Sequence, residues 1–87
     1  MRSKPVDAGK RAKVPLQPCY RAFGMRVEMI RTTLGLTQAD LAKRIGLKRA
    51  SIANIEGGNQ RVLLHDVERF AAALGITPKH LLRGLWT

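Results

Sequence analysis

The residue types that perform most protein chemistry are sparse and scattered in this chain. Cys19 is the sole cysteine, His65 and His80 stand fifteen positions apart, and six carboxylates are dispersed over 87 residues. No set of them has the spacing of a nucleophile with its base, of two converging carboxylates or of a zinc site, and one cysteine closes no internal disulfide. The expectation is a protein that is not an enzyme and that uses no metal or cofactor. His65 reads as a helix-start residue, His80 as a surface residue of the last helix, and Cys19 as an incidental half-buried thiol.

What the chain has in excess is positive charge: 16 Lys+Arg against 6 Asp+Glu, a formal net charge of +10. Such a surplus attracts polyanions, of which nucleic acid is the commonest for a small basic domain, with acidic membranes and a merely solvated surface as the competing explanations. The charge is not confined to a tail. Arg2, Lys4, Lys10, Arg11 and Lys13 against Asp7 precede Tyr20, and the remainder is basic as well. The longest apolar stretch, Phe70 to Leu74, is far below the roughly 18 residues that cross a bilayer, and the N-terminus lacks the apolar run of a secretory signal. A cytoplasmic protein with no membrane partner is expected. A globular chain this short buries about 60 to 65% of its unfolded surface, enough for one modest core.

The elements that must carry this charge follow from apolar spacing. Met1 to Pro18 holds Pro5, Pro15 and Pro18 with scattered apolar residues, so residues 1–19 read as a flexible basic arm and 20–87 as the folded domain. Phe23, Val27, Ile30 and Leu34 share one side of a first helix over about Tyr20 to Leu34. Gly35 favours its end, and Thr37 with Asp40 has the form of a capping box opening a second helix at Gln38. Leu41, Ala42 and Ile45 are its buried stripe, and Gly46 stops it after about two turns. Ile52 and Ile55 define the apolar side of a third helix from about Arg49 to Glu56, whose opposite side carries Arg49, Ala50, Ala53 and Asn54. A fourth helix is expected from about Leu63 to Leu74, with Leu64, Val67, Phe70, Ala71 and Leu74 inward. Thr77-Pro78 then opens a fifth through about Arg83. No stretch alternates with period two, so the predicted fold class is all-α, a compact five-helix bundle.

Two short helices around a Gly-containing turn make a helix-turn-helix candidate. Small Ala42 permits close approach, Gly46 suits a positive φ, and the isoleucines lock the second helix to the core. In order and spacing, Leu36-Thr37-Gln38-Ala39-Asp40-Leu41-Ala42, Gly46-Leu47, Ser51-Ile52-Ala53-Asn54-Ile55-Glu56-Gly57-Gly58 and Ala73-Leu74-Gly75-Ile76 resemble the lambda-repressor-like (XRE) helix-turn-helix family over about Phe23 to Leu85. The resemblance implies a bundle of that family's type that binds operator DNA as a dimer through its third helix. It places Gln38 against a phosphate and directs Lys48, Arg49, Ala50 and Asn54 toward the major groove. The chemistry agrees: Arg donates twice to guanine O6 and N7, Asn pairs with adenine N6 and N7, and Ala touches a thymine methyl, a good bidentate pair discriminating by about 1–3 kcal/mol. Arg49 and Asn54 are the chief base readers. Ser51 is left between phosphate contact and a capping or packing role. Asn59, Gln60 and Arg61 are expected to hold the sugar-phosphate backbone, while Lys43 and Arg44 read as solvated surface near a helix C-terminus.

Lys48 departs from the family pattern, which commonly has Ser or Thr before the third helix, because an ammonium cannot accept from the helix's orphan N–H groups. Glu56 in the last turn of that helix opposes the macrodipole and calls for a cation nearby, and the resemblance implies Arg31, one turn before the end of the first helix, as its partner. The functional expectation is a sequence-specific DNA-binding transcription regulator, a repressor on a palindromic operator. Double-stranded DNA and a second copy of the chain are its partners. Leu81, Leu82, Leu85 and Trp86 are the expected seam, with Trp86 read alternatively as a lid over its own core. The alternative is an antitoxin that binds a toxin protein as well as its own promoter, with the arm as the toxin-binding segment.

Overall fold

The computed structural model describes residues 18–86. The arm assigned to 1–19 therefore lies outside the described residues, apart from Pro18 and Cys19, which are helical. Five helices and no strand occur among the described residues: α1 (Pro18–Thr33), α2 (Gln38–Ile45), α3 (Arg49–Glu56), α4 (Leu64–Leu74) and α5 (Pro78–Leu82).

Local chemistry sets these boundaries. Helix α1 starts two residues before Tyr20, because a proline suits a first helical turn, where no intrahelical N–H is required and φ is already helical. It ends at Thr33, so Leu34 falls in the following turn and is exposed rather than inward. At the head of α2 both halves of the capping box form. The Asp40 N–H donates to Thr37 Oγ1 at 3.0 Å, and the Thr37 N–H donates to the Asp40 carboxylate at 2.9 Å. Hydrogen bonds to the Asp40 carboxylate, from the Thr37 N–H foremost and then from the Thr37 side chain, hold the carboxyl below its ordinary value of 3.8. Gly46 ends α2 at φ 86°, a left-handed conformation that a side chain would strain. Leu63 is the N-cap of α4 and not its first residue, and α5 ends at Leu82, with Arg83 as its C-cap. Thr77 caps α5 by accepting from the His80 N–H at 3.1 Å.

All five helices feed one core. Phe23 and Val27 of α1, Leu41, Ala42 and Ile45 of α2, Ile52 and Ile55 of α3, and Val67, Phe70, Ala71 and Leu74 of α4 close around Leu81 of α5. Phe23 meets Phe70 edge to face, with ring centroids 5.6 Å apart, the arrangement that places a positive ring edge on a negative face. Helix α1 crosses the end of α3 so closely that a Cβ on Gly24 would stand 2.1 Å from the Ile55 carbonyl oxygen. Only glycine permits that crossing.

Besides Leu34, two burial expectations fail, in opposite directions. Leu64 lies in phase with Val67 and Ala71 but is 81% exposed, because it sits in the first turn of α4, where no other part of the described chain covers it. Leu81, expected on a surface seam, is fully buried. The Thr77–Pro78 start sets the phase of α5 so that Leu81 enters the core one turn later.

Candidate nucleic-acid interface

The helix-turn-helix presents α3 as a rod held from one side. Ile52 and Ile55 are buried in the core against α1 and α2, while Lys48, Arg49, Ala50 and Asn54 are exposed and Ser51 and Ala53 half-buried. The predicted base-facing residues thus occupy one accessible side of a helix whose other side is fixed. Lys48 is the N-cap of α3 and makes no side-chain cap hydrogen bond, as the sequence implied. The Ser51 N–H donates to the Lys48 carbonyl at 3.0 Å, so the first turn is held by backbone and not by a capping side chain.

Beneath this surface the Arg31–Glu56 pair forms as expected, with both side chains nearly sealed from solvent, at 9% and 4% exposure. Arg31 Nε donates to Glu56 Oε2 at 2.6 Å and Nη2 to Oε1 at 2.9 Å, while Nη1 donates to the Leu36 carbonyl at 2.8 Å. The hydrogen bonds to Glu56 raise the Arg31 pKa above its ordinary value, against the opposing effect of burial. The same carboxylate accepts from the Gln38 amide at 3.0 Å, and the Gln38 amide oxygen accepts from Arg49 Nη1 at 2.9 Å. A continuous chain of hydrogen bonds therefore runs from the buried pair through Gln38 to Arg49. Arg49 commits one of its five N–H donors to Gln38 and keeps the rest for an acceptor outside the chain. Sequence reasoning placed Gln38 against a phosphate and did not foresee this bridge.

Other arginines do work that the sequence did not reveal. Arg26 donates to the carbonyls of His80, Leu81 and Arg83 at 3.2, 3.1 and 2.8 Å, satisfying the end of α5. Arg44 donates to the Ala73 carbonyl at the end of α4 at 3.0 Å, and Arg69 donates to the Ile45 carbonyl at the end of α2 while pairing with Asp66. Arg21 reaches the Gly57 carbonyl at the end of α3, at 3.4 Å. Cations at helix C-termini complement both the orphan carbonyls and the dipole. Arg44, read as solvated surface at the end of its own helix, instead serves the end of another. Asn59 and Arg61 are exposed and Gln60 half-buried in the loop after α3.

On another flank lies an apolar groove of about 190 Å³ lined by Cys19, Tyr20, Phe23, Val62, Leu64, Val67, Leu82, Leu85 and Trp86. Of the expected seam, Leu82 and Leu85 are half-buried and Trp86 is 71% exposed, so its ring borders the groove rather than sealing the core. Leu63 and Leu64 extend this apolar surface. His65 is exposed beside Asp66, at 3.5 Å, and His80 is exposed on α5. No group of three metal-ligating side chains, and no helix long and apolar enough to cross a membrane, occurs among the described residues.

Comparison with known proteins agrees with this geometry. Residues 22–83 match the helix-turn-helix domain family. Control protein C.BamHI of Bacillus amyloliquefaciens is 39% identical over 61 residues, spanning 69% of this chain and 75% of that protein. Among solved structures, the restriction-modification controller protein C.AhdI from Aeromonas hydrophila is 37% identical. It superposes with a TM-score of 0.69, over 71% of this chain and 94% of its own. The clp gene regulator ClgR from C. glutamicum, 22% identical, shares the fold with a TM-score of 0.73 over 79% of this chain and 88% of its own.

Proposed function

The chain belongs to the lambda-repressor-like (XRE) helix-turn-helix family, and on that premise we propose that it is a sequence-specific DNA-binding transcription regulator whose α3 enters the major groove. The observation that carries this reading is the two-sidedness of α3, with Ile52 and Ile55 buried and Arg49, Ala50 and Asn54 exposed on a rigid support. Arg49 and Asn54 read base edges, and Ala50 offers a methyl contact. Gln38, Lys48, Ser51, Asn59, Gln60 and Arg61 position the domain on phosphates. In this reading Gln38 keeps its bridge to Glu56 and orients Arg49 from the side while its helix start faces the backbone. The identity to two proteins named as controllers supports a regulatory role.

One recognition helix reads only a few base pairs, so the protein acts as a homodimer on a palindromic site with half-sites about one helical turn apart. The apolar surface of Leu63, Leu64, Leu82, Leu85 and Trp86 is its interface, and occupancy of the operator represses transcription. The test is selection of binding sites from random duplex DNA with the wild type and with Arg49→Ala. A palindromic consensus that loses definition at one position per half-site in the variant is the expected outcome. Absence of any enriched sequence for the wild type refutes the assignment.

A further inference from the structure

We propose that Gln38 is a specificity-determining residue: its amide, held in one orientation by the Glu56 carboxylate, admits only a hydrogen-bond donor at position 49 and so sets guanine as the base that Arg49 reads. This inference rests on the DNA-binding reading above and deepens it, from the side chain that meets a base to the group that decides which base it meets.

A primary amide has two ends of opposite character, a carbonyl that accepts and an NH2 that donates, and its shape alone favours neither orientation. Here the surroundings decide. Arg31 donates to both oxygens of Glu56, and an ionised carboxylate only accepts. Gln38 Nε2 donates to Glu56 Oε1 at 3.0 Å. Turned over, the amide would set its own oxygen against a carboxylate nearly sealed from solvent, and its NH2 against the Arg49 guanidinium. Both contacts would become repulsive. The carbonyl end is therefore fixed toward α3, where it accepts from Arg49 Nη1 at 2.9 Å. Donation runs one way, from Arg49 to Gln38 to Glu56, and the outermost member has to be a donor.

What Arg49 keeps free matches one base. The bond to Gln38 occupies a single Nη1 hydrogen, so the Nε–Nη2 edge retains two parallel donors and makes no hydrogen bond to any described residue. In the major groove guanine presents two acceptors side by side, O6 and N7, whereas adenine sets a donor beside its acceptor, cytosine offers a donor and thymine a single acceptor with a methyl group. A side chain that only accepts, as glutamate does on cytosine, is refused at position 49 by the Gln38 carbonyl. A glutamine there is admitted. It gives one amide hydrogen to Gln38 and keeps the other, with its oxygen, for N7 and N6 of adenine.

The experiment selects sites from random duplex DNA with wild type, Q38M, R49Q and Q38M/R49Q, then titrates the selected duplex and its single-base variants at several salt concentrations. Q38M leaves Glu56 paired, since Oε1 still accepts from Arg31 Nη2 at 2.9 Å, and urea unfolding checks that each variant is folded. Wild type is expected to prefer guanine at one position per half-site by about 5- to 150-fold, the range of one bidentate pair. Q38M should lose most of that preference, R49Q should move it to adenine, and the double variant should show neither. A Q38M protein that keeps the guanine preference overturns the proposal. If it also binds every duplex more weakly, with a slope of log affinity against log salt shallower by about 0.9, Gln38 is a phosphate contact instead. An R49Q protein that does not turn to adenine, or that does so equally without the Gln38 amide, overturns the proposal whether or not Q38M folds. Each of these results leaves the DNA-binding reading intact, which falls only if the wild type enriches no sequence.

Discussion

Replacing Glu56 by alanine is expected to remove much of the bundle's stability, and the reason lies in what the carboxylate leaves behind. Arg31 is nearly as buried as Glu56 and donates to it through two nitrogens. The substitution strands a guanidinium that keeps only the Leu36 carbonyl as a neutral partner. Breaking a buried pair by removing one member costs about 3–5 kcal/mol, because the survivor stays desolvated and unpaired. A bundle of this size has a total of roughly 4–10 kcal/mol, so the loss is a large fraction of the whole. With about 4–8 °C per kcal/mol for a small domain, the midpoint of thermal unfolding should fall by more than about 12 °C. Arg31→Met should behave similarly, since it strands the carboxylate. The double variant Arg31→Met/Glu56→Leu should be more stable than either single one. It removes both charges, and its remaining penalty is the Leu36 carbonyl and the Gln38 amide, about 1–2 kcal/mol together. Urea unfolding followed by circular dichroism on the four proteins gives the coupling energy directly. Single losses below about 1 kcal/mol, or losses that add in the double variant, would refute the claim that the pair is a buried, mutually dependent unit.

Three further outcomes are expected. Gly24→Ala should destabilise by more than about 2 kcal/mol in urea, because the new methyl has backbone oxygens at 2.1 and 2.7 Å and cannot displace them. In an uncrowded helix the same change would stabilise by up to about 1 kcal/mol, so the sign alone decides. The lowered Asp40 pKa makes the α2 capping box a contributor that is complete above the ordinary value of 3.8 and lost as pH falls through the lower folded value. The gap between the urea midpoints of wild type and Asp40→Asn should therefore be full at about pH 6 and narrow as pH falls below 3.8, and a gap that does not change with pH contradicts the box. Leu64→Glu, at a site 81% exposed, should leave the monomer folded while abolishing self-association in sedimentation velocity at micromolar concentration. A wild type that is monomeric both free and on DNA removes the dimer proposal.

The sequence made legible those parts of the fold that depend on neighbours in the chain. The Thr37–Asp40 box, the Gly46 stop and the extent of α3 follow from interactions between near neighbours, and each is where spacing put it. The Arg31–Glu56 pair spans 25 positions and was still readable, through the macrodipole argument and the family resemblance. What periodicity could not supply is whether a face, once defined, is covered. Leu64 and Leu81 both lie in apolar helical patterns, yet only the three-dimensional packing leaves the first open and seals the second. Gly24 was silent for a related reason, since a glycine within a helix announces a close approach only when the crossing partner is known. The bridging role of Gln38 was equally hidden, because both of its partners belong to the next helix.

The arginines carry the broadest consequence. A net charge of +10 suggests a surface covered in sites for a polyanion, but Arg26, Arg44 and Arg69 each spend donors on carbonyls that close helices elsewhere in the bundle, and Arg31 is buried. Short helices make this necessary: an eight-residue helix leaves half of its carbonyls without an intrahelical donor, and the bundle contains two of them. Arginine serves both needs with one planar group, satisfying acceptors and complementing the dipole. Of the other described cations, Lys48 and Arg49 stand at the start of α3 and Arg61 in the loop after it, while Lys43, Lys79 and Arg83 are exposed elsewhere. In the proposed function specificity rests on how the cations beside α3 are aimed, and Arg49 is held by Gln38, itself held by the carboxylate that pairs with Arg31. If Arg49 reads bases as proposed, fold stability and base recognition share Glu56, so a change that loosens the buried pair should also loosen the orientation of Arg49.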